Sequence, residues 1–169
     1  MHLDLRTFLF LLLAICSQFS VIAQVAYADA DNPSEAIGMM STTLAANRAM
    51  LSQCSNKYPA RASEFYDGHR TWEEAERPAI RVARYFWNQM ANRDPRLREM
   101  ITYAETTVAQ QFETLERAPQ AMASATGKVQ LEYCRQHFVD LAAGVWRVRT
   151  PRMYRFLDEA PAPPAVSER

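Results

Sequence analysis

Residues 60–90 read ARASEFYDGHRTWEEAERPAIRVARYFWNQM, and this stretch decides the fold class. Mostly apolar side chains recur in it at separations of three and four residues, the spacing that places side chains on one face of an α-helix. These positions are Ala62, Phe65, His69, Trp72, Ala75, Ala79, Val82, Phe86 and Met90. The stretch therefore predicts a long amphipathic helix.

Pro78 interrupts this helical pattern. Proline removes one backbone hydrogen bond and crowds the preceding helical turn, so we expect a kink or a break between Glu74 and Arg77. The apolar stripe keeps its phase on both sides of Pro78. The sequence therefore favours a kink within one helix over a break between two.

The same spacing predicts three more helices in the rest of the chain. Asp94 is placed to cap the third helix, and Pro95 suits its first turn, where a missing N–H costs nothing. Residues 120–128 include Gly127 and few large apolar side chains, so we expect a loop there. The predicted helices cover residues 33–58, 60–90, 95–117 and 129–149.

These helices predict an all-α fold, an up-down-up-down four-helix bundle with a kinked second helix and a short C-terminal helix at 152–159. The chain has only 4 glycines in 169 residues, which disfavours the many tight turns of a sheet protein. We expect a single helical domain at 29–159. The Pro-rich segment 160–169 is predicted to be a disordered tail.

Residues 1–28 are predicted to be a cleaved secretory signal peptide. One basic residue, Arg6, precedes an apolar run from Phe8 to Cys16, and the segment closes on Ala26-Tyr27-Ala28. The apolar run is shorter than the roughly 20 residues that a membrane-spanning helix needs. We therefore expect a secreted or periplasmic protein with no transmembrane segment.

The exact cleavage position has three candidates. Cleavage after Ala23, Ala28 or Ala30 satisfies the preference for small residues, and Ala28 is the preferred position. Cys16 lies in a partial lipoprotein processing box, but Ile15 stands where that box normally has a small residue. We therefore do not expect a lipid anchor at Cys16.

Cys54 and Cys134 are predicted to form a disulfide bond. They are the only cysteines outside the predicted signal peptide, and an oxidising compartment favours their pairing. Cys54 falls near the end of the first helix and Cys134 near the start of the fourth, each on the apolar face. In the predicted bundle these two helix ends lie at the same pole.

No motif in the chain specifies catalysis. Gly-x-Ser-x-Gly and Glu-x-x-His do not occur, and the four glycines are too far apart to form a phosphate-binding loop. We interpret His69 and His137 as residues at the edge of the core. The sequence therefore favours a non-enzymatic protein without a metal or other cofactor.

The segment 146–156 is the first of two candidate partner-binding sites. It places four arginines among aromatic side chains with no acid between them, which suits docking to an anionic surface. Because the arginines are uncompensated locally, we expect all four to be dispensable for folding. The candidate residues in this segment are Arg147, Arg149, Arg152, Arg155, Trp146 and Tyr154. The second candidate site consists of Tyr85 and Trp87, which lie beside the apolar stripe of the second predicted helix.

Together these features indicate an exported helical protein that binds another protein, as an accessory factor, inhibitor, chaperone or immunity-type partner. The 19 basic and 19 acidic residues balance, so we do not expect nucleic acid binding. Two alternatives stay open. One is a carrier for a small apolar ligand inside the bundle, and the other is a peripheral membrane protein that uses residues 146–156.

Overall fold

The computed structural model describes residues 29–116 and 123–164, and these ranges are helical without any strand, which confirms the all-α prediction. The predicted signal peptide lies outside the described residues. The elements are α1 (Pro33–Lys57), a 3-10 turn (Pro59–Arg61), α2 (Ala62–Ala75), α3 (Arg77–Arg93), α4 (Arg96–Glu116), α5 (Ala123–Ala142), α6 (Val145–Arg149) and α7 (Pro151–Asp158).

Helix α1 is the central helix of the fold. It packs against α4, α3, α7 and α2, whereas α5 packs chiefly against α2 and touches α1 over a short stretch. In the predicted bundle, the first and the fourth helix would run side by side along their length. The simple four-helix topology is therefore not confirmed.

Local capping explains where α1 begins. The side chain of Asn32 accepts a hydrogen bond from the Glu35 N–H at 2.9 Å, and Glu35 Oε2 accepts one from the Asp31 N–H at 2.8 Å. Pro33 occupies the first turn, where its missing N–H is not needed. The Asn32 side chain thus satisfies a donor that a helix start leaves unpaired, and Glu35 holds the residue before the cap.

Glu76 separates the predicted second helix into α2 and α3. Its backbone leaves helical geometry (φ −97°, ψ 10°), and Pro78 then lies in the first turn of α3. Trp72 and Ala79, on either side of Glu76, are both buried in the core. The continuous stripe thus belongs to two helices, and the predicted single kinked helix is not confirmed.

The predicted fourth helix differs from the structure at both ends. Helix α5 already begins at Ala123, so the predicted loop is wrong for residues 123–128, while 117–122 lie outside the described residues. At the other end, Gly144 has φ +71° and ends the helical run before the separate helix α6. Glycine adopts this left-handed conformation without the steric cost of a Cβ atom.

The predicted caps and the short final helix agree better with the structure. The Asp94 Oδ1 atom accepts a hydrogen bond from the Arg96 N–H at 3.0 Å, as expected for a helix cap. Helix α7 lies within one residue of its predicted bounds. Of the predicted tail, the structure describes residues 160–164, which are not helical, and Pro163 is buried.

The disulfide between Cys54 and Cys134 is present and fully buried. One turn further along α5, Phe138 packs on Phe65 with ring centroids 5.5 Å apart. A Cβ atom at Gly68 would lie 2.7 Å from the Phe138 carbonyl oxygen, so only glycine permits this approach of α2 and α5. The covalent bond and the close helix contact therefore reinforce the same region of the core.

None of the helices in the described part of the chain combines the length and the apolar character that crossing a bilayer requires.

His137 is a partly buried base on α5. Its Nε2 atom lies 3.0 Å from Asn47 Oδ1 on α1. Burial lowers the pKa of His137 from 6.5 to about 4, with nearby Asp140 opposing this shift and His69 adding to it. The folded state therefore holds a neutral imidazole at neutral pH.

Loss of the disulfide should destabilise the fold substantially. The bond closes a separation of 80 residues, and the chain-entropy model gives about 4 kcal/mol for a loop of this size. We expect the Cys54→Ala/Cys134→Ala variant of the chain from residue 29 to lose stability of this order in urea unfolding. Thiol titration of the native form should find no free thiol, and two reactive thiols would contradict the bond.

Stability should also fall in mild acid. Between the unfolded pKa of 6.5 and the folded pKa of about 4, the unfolded state binds more protons at residue 137, so lowering the pH favours unfolding. We expect His137 to contribute a loss of up to about 3 kcal/mol across this window. The His137→Gln variant should show a shallower decline. An imidazole that titrates near 6.5 by NMR would disprove the assignment.

Candidate partner-binding site at the C-terminal corner

The residues from Gly144 to Ala160, here called the C-terminal corner, contain α6, α7 and the first predicted binding site. Gly144 turns the chain from α5 into α6, and Thr150 links α6 to α7. Three side chains of α7 are buried against α1 and α3, namely Met153, Tyr154 and Leu157. The apolar face of α7 thus fixes the position of the corner.

Arg147 is held by two acids from outside α6. Its Nη2 donates to Glu76 Oε2 at 2.7 Å, its Nε donates to Glu76 Oε1 at 3.2 Å, and its Nη1 donates to Asp158 Oδ2 at 3.0 Å. The guanidinium carbon also lies 4.2 Å from the ring centroid of Tyr154. The hydrogen bonds to Glu76 raise the pKa of Arg147 above its usual value.

Arg147 is the ionic partner of a buried carboxylate, that of Glu76. The Glu76 side chain is only 4% exposed, whereas that of Arg147 is 43% exposed. A buried carboxylate needs a charged partner or several hydrogen bonds to remain ionised. Burial also raises the pKa of the neighbouring Tyr154 hydroxyl, and the Glu76 carboxylate adds to this shift. Arg147 therefore stabilises the junction between α2 and α3.

Arg152 is bound on the opposite side of α7. Its Nη1 donates to Asp31 Oδ1 at 2.7 Å, and its Nε lies 3.6 Å from Asp29 Oδ2. Both acids precede α1, so Arg152 ties the last helix to the segment before the first. Like Arg147, Arg152 has its charge balanced within the protein.

Arg149 and Arg155 are the other two arginines of the segment, and both are exposed. The guanidinium carbon of Arg155 lies 5.4 Å from the ring centroid of Phe156, and Arg155 forms no ion pair with another described residue. Val148, which the sequence did not single out, is 79% exposed. The corner therefore presents an apolar side chain together with cations to solvent.

A shallow depression of about 320 Å³ lies on this surface. Pro151 and Tyr154 contribute apolar surface to it, while the arginines and acids that line it supply both signs of charge. The lining residues are Arg147, Pro151, Tyr154, Arg155, Asp158 and Glu159. The depression is thus polar and charged at its rim, without the one-sign field expected from the sequence.

The aromatic candidates are less exposed than the arginines. Tyr154 is buried, and Trp146 is partly buried against the core. On α3, Tyr85 is partly buried with its ring centroid 5.0 Å from that of Phe86, and Trp87 is only 8% exposed. Neither Tyr85 nor Trp87 lines the depression.

Two of the four arginines in the predicted cluster, Arg147 and Arg152, are compensated by acids from outside it. Glu76 is 71 residues from Arg147 in sequence, and the acids that bind Arg152 are more than 120 residues away from it. No local pattern pairs these residues, since the fold alone brings them together. Only Asp158, 11 residues after Arg147, lies close enough in sequence to have suggested a contact.

No three His, Cys, Asp or Glu side chains of the described ranges are grouped so that they could hold a metal ion. Comparisons with protein-family models, curated proteins and solved structures find no match for this chain. The geometry of the corner is therefore the basis for assigning a function.

The arginines of the corner should differ sharply in their effect on stability. We expect Arg147→Gln to cost about 3 kcal/mol, because it leaves the buried Glu76 carboxylate without its ionic partner. Arg155→Gln is the matched control on the same depression and should change stability by no more than about 0.5 kcal/mol. Urea unfolding at pH 7 measures both values.

A double variant distinguishes two possible causes of lost stability, an unpaired buried charge and a changed side-chain shape. Glu76→Gln/Arg147→Gln removes both charges and should recover part of the stability that Arg147→Gln loses. Equal stability of the Arg147→Gln and Arg155→Gln variants would contradict the structural role of Arg147. Replacement of all four arginines is accordingly expected to destabilise the fold, contrary to the expectation from sequence.

Proposed function

We propose that this chain is an exported, non-enzymatic protein that binds another protein through its C-terminal corner. The observation that carries the proposal is the exposure of Val148, which is next to Arg149 in the chain. Both residues are close in sequence to Arg155, which lines the depression. Protein interfaces combine apolar contact surface with arginine in this way. The proposed interface lies in the segment that the sequence indicates, residues 146–156. The residues that are exposed there differ from the predicted set.

The chemistry of the depression suggests the kind of partner. An apolar side chain of the partner would contact the exposed Pro151, and a carboxylate next to it would pair with Arg155. Asp158 and Glu159 also line the depression and would repel a densely anionic surface. This mixture favours a protein over lipid headgroups or a polyanionic glycan.

Burial of the aromatic side chains also argues against a membrane surface as the partner. A peripheral helix inserts aromatic and aliphatic side chains into the lipid interface. In the corner, Tyr154 is buried, and Trp146 and Phe156 pack against the core. Their rings are therefore engaged within the protein.

The packed interior favours a protein binder over a carrier of apolar ligands. Trp72, Phe65, Phe138 and Leu141 are almost completely buried and form one cluster. A carrier needs an internal cavity, whereas these bulky side chains pack together in the core. The buried disulfide is compatible with the oxidising environment that an exported protein meets.

Site-specific photo-crosslinking in the native cells tests this proposal. A photoreactive residue at position 148 should capture a defined protein, because this position lies in the proposed interface. The same residue at position 110, an exposed site on α4, is the control and should not capture that protein. Arg155→Glu should reduce the yield at position 148 at least tenfold, whereas Arg98→Glu on α4 should not.

Two results would contradict the proposal. Identical capture from positions 148 and 110 would show that the corner is not a specific interface. Capture of lipid in place of protein at position 148 would support the membrane alternative. Unfolding curves of the Arg155→Glu variant would confirm that a lost crosslink reflects binding and not folding.

A further inference from the structure

Asp29 supplies the helix cap that α7 lacks in its own sequence. Thr150 precedes α7, but its hydroxyl donates to the Trp146 carbonyl at 2.8 Å and forms no cap bond to α7. Instead, the Asp29 carboxylate accepts hydrogen bonds from the N–H groups of Arg152 and Met153, each at 2.8 Å. These donors belong to the first turn, which has no partner within the helix.

The segment around Asp29 is built into the core. A third hydrogen bond, from the Ala30 N–H to Asp29 Oδ1 at 2.9 Å, orients the carboxylate, and Ala30 is fully buried. Burial opposes ionisation of Asp29, but the backbone N–H groups outweigh it and lower the pKa of the carboxyl. A charged cap at a helix N-terminus also interacts favourably with the helix dipole.

We propose that proteolytic processing retains Asp29, so that the signal peptide is removed after Ala28 or Ala23 and never after Ala30. Cleavage after Ala30 would remove both the cap of α7 and a fully buried core residue. Because most of the residues that line the depression belong to α7, Asp29 is a positioning residue for the C-terminal corner. This inference rests on the export proposed above.

The first experiment locates the processing site. The full chain is expressed in an exporting host, and the purified product is examined by intact mass and N-terminal sequencing. A product that begins at Asp29 or Gln24 supports the proposal. A product that begins at Asp31 overturns it while leaving export intact, whereas an unprocessed chain overturns both.

The second experiment tests the cap by hydrogen exchange of the amides in 151–158. We expect Asp29→Ala in the processed protein to increase their exchange about fivefold or more, as for loss of a helix cap. Asp31→Ala is the matched control, because Asp31 also pairs with Arg152 but is 73% exposed and does not cap α7. This control should change the exchange by less than twofold.

The Asp29→Asn variant keeps the shape of the side chain and provides a second measurement if Asp29→Ala does not fold. Asparagine retains only one acceptor oxygen, so exchange in 151–158 should rise by less than in the alanine variant but more than in Asp31→Ala. Exchange in 96–116, on α4, reports any general loosening and should stay unchanged. Equal exchange of α7 in the Asp29→Asn and Asp31→Ala proteins would overturn the capping role.

Discussion

A carboxylate that is removed from water must be paired, and at Glu76 this pairing joins the junction of α2 and α3 to α6. Glu76 lies where α2 gives way to α3, and its side chain is nearly inaccessible to solvent. The partner comes from α6, as Arg147, and Arg147 in turn covers the ring of Tyr154 on α7. One buried charge therefore links the break in the second helical segment to the last two helices.

The two ends of the described chain meet on α7. One side of this helix contacts the junction at Glu76 through Arg147, while its first turn is capped by Asp29. Its apolar face packs against α1 and α3. Helix α7 has only eight residues, which is too short for stability on its own, so its order depends on these tertiary contacts. The C-terminal corner is thus a product of the whole fold.

Periodic apolar spacing was sufficient to predict helices because it reports a local property of the chain. It identified the buried positions Phe65 and Trp72, and cysteine placement identified the bond between Cys54 and Cys134. Helix ends were harder to predict. Residues 123–128 continue a helix despite a composition typical of loops, and Gly144 ends one where the apolar pattern continues.

Local sequence patterns were enough to predict the helical class, the disulfide and the position of the arginine-rich segment. That Arg147 and Arg152 are paired with acids follows from the fold alone, because those acids come from distant parts of the chain. The same holds for Asp29, whose role as a cap exists only once α7 lies beside it. The ionic partner of a side chain and its exposure to solvent depend on which distant residues the fold brings next to it. Neither can therefore be read from the order of residues in the sequence.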